Sequence, residues 1–178
     1  MEEQEAEMKL ISKDYLALQR ELHETGEYGR KGDRWAEKVE SLYKKYNCTS
    51  LLDYGAGQMR LQRELGARLN MKSYDPAMPK IARPPDQADM VCANDVMEHI
   101  EPECIEDVMA HIRSLTRVVF FSVIGMEPAM KFLGDGRNAH VLLRSRDWWL
   151  DLYGKHKFAI DDVTEKGARS LIVVARPC

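Results

Sequence analysis

One short segment has the residue types of a ligand-binding turn. Leu51-Leu-Asp-Tyr-Gly-Ala-Gly57 places Asp53 at the end of an apolar run, with Gly55 and Gly57 directly after it. Glycines between a strand and a helix let the backbone approach a ligand closely. Tight strand-to-helix turns also use glycine for purely steric reasons, so this pattern alone leaves both interpretations open.

The charge of this turn indicates which ligand it suits. Dinucleotide-binding turns continue as Gly-x-Gly-x-x-Gly and hold a pyrophosphate, but here Arg60 stands where the third glycine would be. Asp53, just before the turn, would repel a pyrophosphate and suits a cationic ligand. S-adenosylmethionine (SAM) carries an α-amino group and a sulfonium and no phosphate, so the sign of the charge favours SAM over NAD.

A second acid follows the next predicted strand. Tyr74-Asp75 ends that strand, where a carboxylate can accept hydrogen bonds from both hydroxyls of a ribose. Asp75 also precedes Pro76, and Asp-Pro dipeptides begin turns, so a turn-forming role is the alternative. Combined with the glycine turn, ribose binding is the favoured interpretation.

A third segment makes a family resemblance specific. Asp89-Met-Val-Cys-Ala-Asn-Asp-Val-Met-Glu-His-Ile100 runs from a strand into Asn94-Asp95 and Glu98-His99. An acid-glycine loop, an acid ending the second strand and an Asp-Val-x-Glu-His-Ile segment, in this order, resemble the class I SAM-dependent methyltransferase superfamily. More narrowly, the chain resembles compact methyltransferase-domain proteins of phages and proteobacteria through Leu22-His-Glu-Thr-Gly-Glu-Tyr-Gly29, Leu52-Asp-Tyr-Gly-Ala-Gly-Gln58, Tyr74-Asp-Pro76, Asp95-Val-Met-Glu-His99, and Asp135-Gly-Arg-Asn-Ala-His-Val141 followed by Trp148-Trp149.

The resemblance implies SAM as the cofactor and methyl transfer as the activity. It assigns the cofactor contacts to the matching positions Asp53, Gly55, Ala56, Gly57, Asp75, Pro76, Asn94, Asp95 and His99. Tyr28 and Gly29 are expected to cover the methionyl end of SAM, as N-terminal loops do in related folds. The alternative for Tyr28 is an aromatic plug on the core.

His140 is the candidate catalytic residue. It lies in a glycine-containing loop that follows the most β-prone run, Val118–Val123, at the edge where α/β sheets bind ligands. A histidine there suits a substrate-facing base or an orienting group; the alternative is a histidine that fixes its own loop. For Glu98 and His99, helix capping or packing is favoured over catalysis. His23, His111 and His156 are expected to face solvent.

Predicted elements alternate between strands and helices, which indicates an α/β fold with a mostly parallel sheet. The expectation is a Rossmann-like class I methyltransferase fold with a C-terminal antiparallel hairpin formed by residues 157–161 and 170–175. Thirteen residues with four prolines separate Asp75 from Asp89, so we expect an open loop on that edge instead of a helix and strand. In the superfamily the missing strand supplies contacts to the adenine ring. Here we expect Pro84, Asp86 and Ala88 to supply them instead. Apolar periodicity predicts helices near 8–23 and 35–46, around Leu61 and from about Pro102.

Composition limits the function classes. The 178 residues suit a single SAM-binding domain over 1–178, with a helical lid over about 1–46. The net charge of −3 and the lack of base-methylation motifs leave nucleic acid unsupported, so a small-molecule acceptor is favoured. Widely spaced cysteines predict no metal site.

An acidic N-terminus and short apolar runs predict a cytoplasmic protein without a membrane segment. A homodimer is compatible with this composition. The alternatives are a non-catalytic SAM-binding domain and a SAM-cleaving lyase.

Overall fold

The structure is a computed structural model that describes residues 8–26 and 32–178. Its strands are β1 (Leu51–Tyr54), β2 (Met71–Tyr74), β3 (Ala88–Asn94), β4 (Thr116–Gly125), β5 (Phe158–Lys166) and β6 (Ser170–Pro177). Its helices are α1 (Lys13–Glu24), α2 (Ala36–Lys45), α3 (Arg60–Leu65), α4 (Ile105–Leu115) and α5 (Arg146–Lys155). Single 3₁₀ turns occur at Gly32–Trp35, Pro79–Ile81 and Met97–His99.

The strands form one sheet in the order β2-β1-β3-β4-β6-β5. Strands β1 to β4 pair in parallel, and β6 lies antiparallel between β4 and β5. The mostly parallel sheet, the C-terminal hairpin and the reduced edge are therefore as the sequence predicts. On that edge the segment after β2 is not wholly irregular, because Pro79–Ile81 forms a 3₁₀ turn and the backbone nitrogen of Asp75 donates to the oxygen of Ile81 at 3.1 Å.

Helices cover both faces of the sheet. Alternate residues of β3 point to opposite faces, as the strand period requires, with Met90 and Cys92 on one side and Val91 and Ala93 on the other. The first side packs on α2 and α3, and the second on α4 and α5. These two apolar layers hold the strand ends in fixed positions, which is what a site at the edge of a sheet requires.

One helix was not predicted, and the predicted start of another needs correction. Helix α5 was not expected; its N-cap Ser145 accepts from the backbone of Trp148, and Trp149 and Tyr153 are fully buried one turn apart. Helix α4 begins at Ile105, three residues later than the expected start at Pro102. Neither difference moves a residue of the candidate site.

Helix α1 packs against a loop instead of the sheet. Tyr15 and Leu22 form a small buried cluster with Leu133 and Ala139, which belong to the segment between β4 and α5. Ser12 caps the helix, and its backbone nitrogen and hydroxyl both donate to the carboxylate of Glu101, at 2.8 and 2.7 Å. These contacts place α1 across the carboxyl ends of the parallel strands.

Candidate functional site

A cavity of about 740 Å³ opens at the carboxyl ends of β1, β3 and β4, beneath α1. Open α/β sheets bind ligands at this edge because the strand ends and the following loops converge there. The predicted site residues that line the cavity are Asp53, Gly55, Ala56, Gly57, Asp75, Pro76, Asn94, Asp95, His99 and His140. Tyr28 and Gly29 lie outside the described residues. Pro84, Asp86 and Ala88, the expected substitutes for the adenine contacts, do not line this cavity.

The loop after β1 requires glycine at its first position. Gly55 has a φ of +74°, a conformation that L side chains rarely adopt. A Cβ atom at this position would lie 2.6 Å from a methyl group of Val96, well inside contact distance. The nitrogens of Gly55 and Ala56 both donate to the oxygen of Tyr74, at 2.8 and 3.0 Å. Glycine is therefore needed here both to avoid a clash with Val96 and to keep the loop backbone open to a ligand.

Asp75 holds the same loop from the end of β2. The backbone nitrogen of Gly57 donates to Oδ2 at 2.9 Å, and that of Ala77 donates to Oδ1 at 2.9 Å. The turn-forming alternative is thus part of the structure. A carboxylate has about four acceptor positions, so two remain for a ligand on the cavity side. Turn formation and ribose binding are compatible roles for one side chain.

Asp53 is a buried acid that forms no salt bridge with a cationic side chain of the described residues. Burial raises the pKa of its carboxyl to about 7, the Cys92 thiol that donates to Oδ1 at 3.6 Å opposes this rise, and the nearby Asp75 adds to it. A buried acid of this kind is stabilised in its charged form by a cation. The Asp53 carboxylate is therefore suited to pair with a cationic group of a ligand in the cavity.

Asn94 presents an unsatisfied amide at the end of β3. Both its Nδ2 and its Oδ1 are buried and lack a hydrogen-bond partner among the described residues. Buried polar atoms are nearly always paired, so an orphaned pair at a cavity wall marks a position where a bound molecule completes the hydrogen bonds. The glycine loop, the two acids and this amide fit the amino acid and ribose parts of SAM.

Glu98, His99 and His140 form a second polar group farther along the same edge, beside the end of β4. Glu98 is fully buried, and its Oε1 accepts from the backbone nitrogen of Gly125 at 2.8 Å. Burial and then Asp95 raise the pKa of Glu98 to about 8. Burial and then His140 lower the pKa of His99 to about 3. The two imidazole rings meet edge to face at 4.8 Å.

Helix α1 contributes lining residues that the sequence did not identify. Tyr15 donates its hydroxyl to the oxygen of His99 at 2.7 Å, and Gln19 and His23 of the same helix also line the cavity. Glu101, which accepts from Ser12, lines it from the segment before α4. His23 is only 8% exposed and His111 only 9%, so the expectation that they face solvent was wrong. His111 contacts the hydroxyl of Tyr54 at 3.0 Å. Only the tertiary placement of α1 reveals that Tyr15, Gln19 and His23 line the cavity, because the apolar stripe of this helix is equally typical of a core helix.

Comparison with solved structures identifies proteins with the same fold. The 1,6-didemethyltoxoflavin-N1-methyltransferase of Burkholderia thailandensis, solved with 1,6-didemethyltoxoflavin and S-adenosylhomocysteine, has a TM-score of 0.69 at 15% identity, over 92% of this chain and 89% of that one. DhpI in complex with SAH has a TM-score of 0.66 at 16% identity, over 94% of this chain and 98% of its own. Magnesium protoporphyrin IX methyltransferase from Synechocystis PCC 6803, with bound SAH, has a TM-score of 0.52 at 15% identity, over 82% and 83%.

Sequence comparisons add no closer relative: no protein-family model matches the chain, and neither does a curated protein. Among the described helices, none has the length and apolar character needed to cross a membrane. The mostly parallel sheet with its antiparallel C-terminal strands matches these solved structures, and the chain has the fold of the class I SAM-dependent methyltransferase superfamily.

Proposed function

We propose that this protein transfers the methyl group of SAM to a small-molecule acceptor. The observation that carries the proposal is one cavity with two polar ends. The glycine loop, Asp53, Asp75 and the orphaned amide of Asn94 lie at the ends of β1, β2 and β3, and His140 lies beyond the end of β4. The first end suits a cationic nucleoside without phosphate, and the second suits an acceptor.

The size of the cavity supports a small acceptor. Small-molecule sites occupy about 300–1,000 Å³, and a cavity of about 740 Å³ has room for SAM and a second compound of modest size. The methyltransferase from Burkholderia thailandensis holds 1,6-didemethyltoxoflavin together with S-adenosylhomocysteine, which is an arrangement of this kind. With a net charge of −3 the chain offers no general attraction for a phosphate backbone.

The reaction needs positioning more than it needs strong acids or bases. A lone pair of the acceptor forms a bond to the methyl carbon while the carbon–sulfur bond breaks, and its electrons remain on sulfur. Much of the rate then comes from holding the two molecules in line and away from water. Helix α1 covers the strand ends through Tyr15 and Ser12, so we assign it the role of a lid. His140 lies where it can receive a proton from an acceptor that must lose one.

The proposal is tested by ligand binding followed by product analysis. SAM and S-adenosylhomocysteine should each raise the melting temperature, because a ligand that binds only the folded state stabilises it. Incubation with SAM and a panel of small acceptors should yield S-adenosylhomocysteine. Methylthioadenosine or homoserine lactone as product would instead mark a lyase, and binding without any product would mark a regulatory domain. No thermal shift at millimolar SAM would refute the cofactor assignment.

A further inference from the structure

We infer that Glu98, His99 and His140 form a binding site for one divalent transition-metal ion. One ligand atom from each of the three side chains lies within 4.8 Å of the other two. The cysteine spacing that led to the expectation of no metal site says nothing about this group, because its two histidines come from loops that are 41 residues apart along the chain.

The hydrogen bonds of the two histidines orient them as metal ligands. Nδ1 of His99 lies 2.7 Å from the backbone oxygen of Ala139, and Nδ1 of His140 lies 2.5 Å from that of Glu127. A carbonyl oxygen only accepts, so each Nδ1 carries its proton and the lone pair of each neutral ring is on Nε2. Metal-binding histidines are held in this way, by a carbonyl or carboxylate that fixes the tautomer and the ring plane.

The carboxylate between the two rings lacks a complete set of partners. Glu98 is 0% exposed, its Oε1 accepts from Gly125, and its Oε2 is buried without a hydrogen-bond partner in the described part of the chain. Nε2 of His140 lies 3.9 Å from Oε1, which is too long for a hydrogen bond. Two ligands of one ion lie about 3–4 Å apart when each bond is about 2.1 Å. The separation of Glu98 and His140 therefore matches a shared ion better than a direct contact, and a ligand pair near the 4.8 Å limit closes slightly when the ion binds.

The backbone of Gly125 lies directly against two of the three side chains. A Cβ atom on Gly125 would lie 2.5 Å from Oε1 of Glu98 and 2.8 Å from the ring of His140. The end of β4 therefore approaches both ligands directly, and glycine is required there for them to meet. Two imidazoles and one carboxylate suit Mn²⁺, Fe²⁺, Co²⁺ or Zn²⁺, and leave coordination positions for water or substrate.

The site also indicates the class of acceptor, and this step rests on the proposed function. A metal ion acts as a Lewis acid and makes a coordinated hydroxyl easier to deprotonate. An amine gives its single lone pair to the metal and loses its nucleophilicity, whereas a deprotonated hydroxyl oxygen keeps further lone pairs. The oxygen then bonds to the methyl carbon, the carbon–sulfur electrons stay on sulfur, and the hydroxyl proton goes to solvent. With its Nε2 on the metal, His140 holds the ion and does not take the proton itself. The acceptor is therefore an alcohol or phenol.

Metal binding can be measured without SAM, so it is independent of the proposed function. Chelator-treated protein is titrated with Co²⁺ and followed by visible absorption, and with Mn²⁺ and Zn²⁺ by calorimetry. One ion should bind per chain, and Glu98→Gln and His140→Gln should each weaken binding at least tenfold. His156→Gln is the matched control, because His156 also contacts a glutamate, Glu106, at 2.7 Å, away from the cavity. Unchanged melting temperatures of the variants would show that they are folded.

The outcomes separate the two proposals. No saturable binding at millimolar Co²⁺, or equal affinity in the wild type and Glu98→Gln, would overturn the metal site while leaving SAM binding and methyl transfer standing. Metal binding with no thermal shift from SAM would uphold the site and refute the proposed function. For the acceptor, turnover of hydroxyl compounds should stop in chelator and return with Mn²⁺ or Zn²⁺. Methylation of a hydroxyl at full rate in chelator would overturn the acceptor role.

Discussion

The backbone nitrogen of Gly57 donates to Oδ2 of Asp75 at 2.9 Å, and this bond joins the loop after β1 to the end of β2. Oδ1 of the same carboxylate accepts from Ala77. One side chain therefore fixes the glycine loop and the start of the proline-rich segment together. It does so at the wall of the cavity, where a ribose would meet its remaining acceptor positions.

Asp75→Ala should lower both SAM affinity and stability. The substitution leaves two backbone nitrogens without their acceptor and removes the hydrogen bonds offered to a ribose, each worth about 1.5–3 kcal/mol when the acceptor is charged. We expect SAM affinity to fall at least several-fold and the melting temperature to fall as well. Asp75→Asn keeps the shape and one acceptor oxygen and should be intermediate. Calorimetry and thermal unfolding measure both effects.

Asp86→Ala is the control for this substitution. Asp86 belongs to the same segment, but it is exposed, pairs with Lys72 at 2.8 Å and does not line the cavity. The Asp86→Ala substitution should therefore leave the affinity for SAM unchanged. Wild-type affinity in Asp75→Ala would leave that residue with its turn-forming role alone.

Gly55→Ala should destabilise the protein more than a glycine substitution elsewhere. Gly167 has a φ of +61° and open space around its Cβ position, so Gly167→Ala costs only the backbone conformation, about 1–2 kcal/mol. Gly55→Ala has the same backbone cost and in addition places its Cβ against Val96. We expect a larger fall in melting temperature and the loss of SAM binding. Adding Val96→Ala should recover part of the stability, and equal melting temperatures for the two single variants would contradict this account.

The sequence could predict those parts of the site that lie next to strand ends. Asp53, Asp75 and Asn94 each lie at the end of a predicted strand, and parallel strands bring such positions to one edge. The roof of the cavity could not be predicted, because the positions of Tyr15 and His23 depend on how α1 docks onto a loop more than 100 residues away. Helix α5 was not predicted, although Ser145, a good N-cap residue, directly precedes it.

The affinity for SAM should rise with pH through the pKa of Asp53. Burial holds this pKa at about 7, so the carboxyl is mostly protonated in the free protein at pH 6. The groups that face it are the Cys92 thiol, which favours the charged form, and the Asp75 carboxylate, which opposes it. A cationic ligand pairs only with the ionised acid, so binding releases a proton below pH 7. Calorimetry at pH 6 in two buffers of different ionisation enthalpy measures that release.

The raised pKa of Asp53 also predicts how the stability of the free protein depends on pH. Between about pH 4 and 7 the folded protein keeps the Asp53 proton that the unfolded chain has released, so its free energy of unfolding falls as pH rises. Because Glu98 also titrates in this cavity, the comparison is with Asp53→Asn. In Asp53→Asn, the contribution of Asp53 should be absent from the pH dependence of SAM affinity and from that of the free energy of unfolding. Identical proton release in the variant would assign the effect to another group.

Tyr15→Phe should loosen the lid without unfolding the protein. Tyr15 is 3% exposed and packs with Leu133 and Ala139, so the ring keeps its contacts while the hydroxyl bond to His99 is lost. We expect SAM to dissociate several-fold faster, as measured by stopped-flow displacement. Tyr46→Phe also removes one hydroxyl bond, to Asp161 at 2.7 Å on the hairpin, and should leave dissociation unchanged. Equal dissociation rates in the wild type and Tyr15→Phe would remove α1 from the role of a lid.

His140→Ala should lower turnover by about a hundredfold or more, the usual scale when a group that handles the proton of an acceptor is lost. His140 also supports its own loop, since its Nδ1 donates to Glu127 and its backbone nitrogen donates to Asn138. The two roles are separated by Asn138→Ala. Asn138 holds the loop through bonds to Ala129 and His140, and its loss leaves the imidazole in place.

If His140 acts at the acceptor, His140→Ala should lose turnover with little change in SAM affinity or melting temperature, and Asn138→Ala should lose stability with a smaller loss of turnover. If His140 only fixes the loop, the two variants should lose stability, SAM affinity and turnover in parallel. The measurements are kcat, the SAM dissociation constant and the melting temperature of each variant. Full turnover in His140→Ala would exclude the residue from both proton transfer and metal-assisted activation of the acceptor.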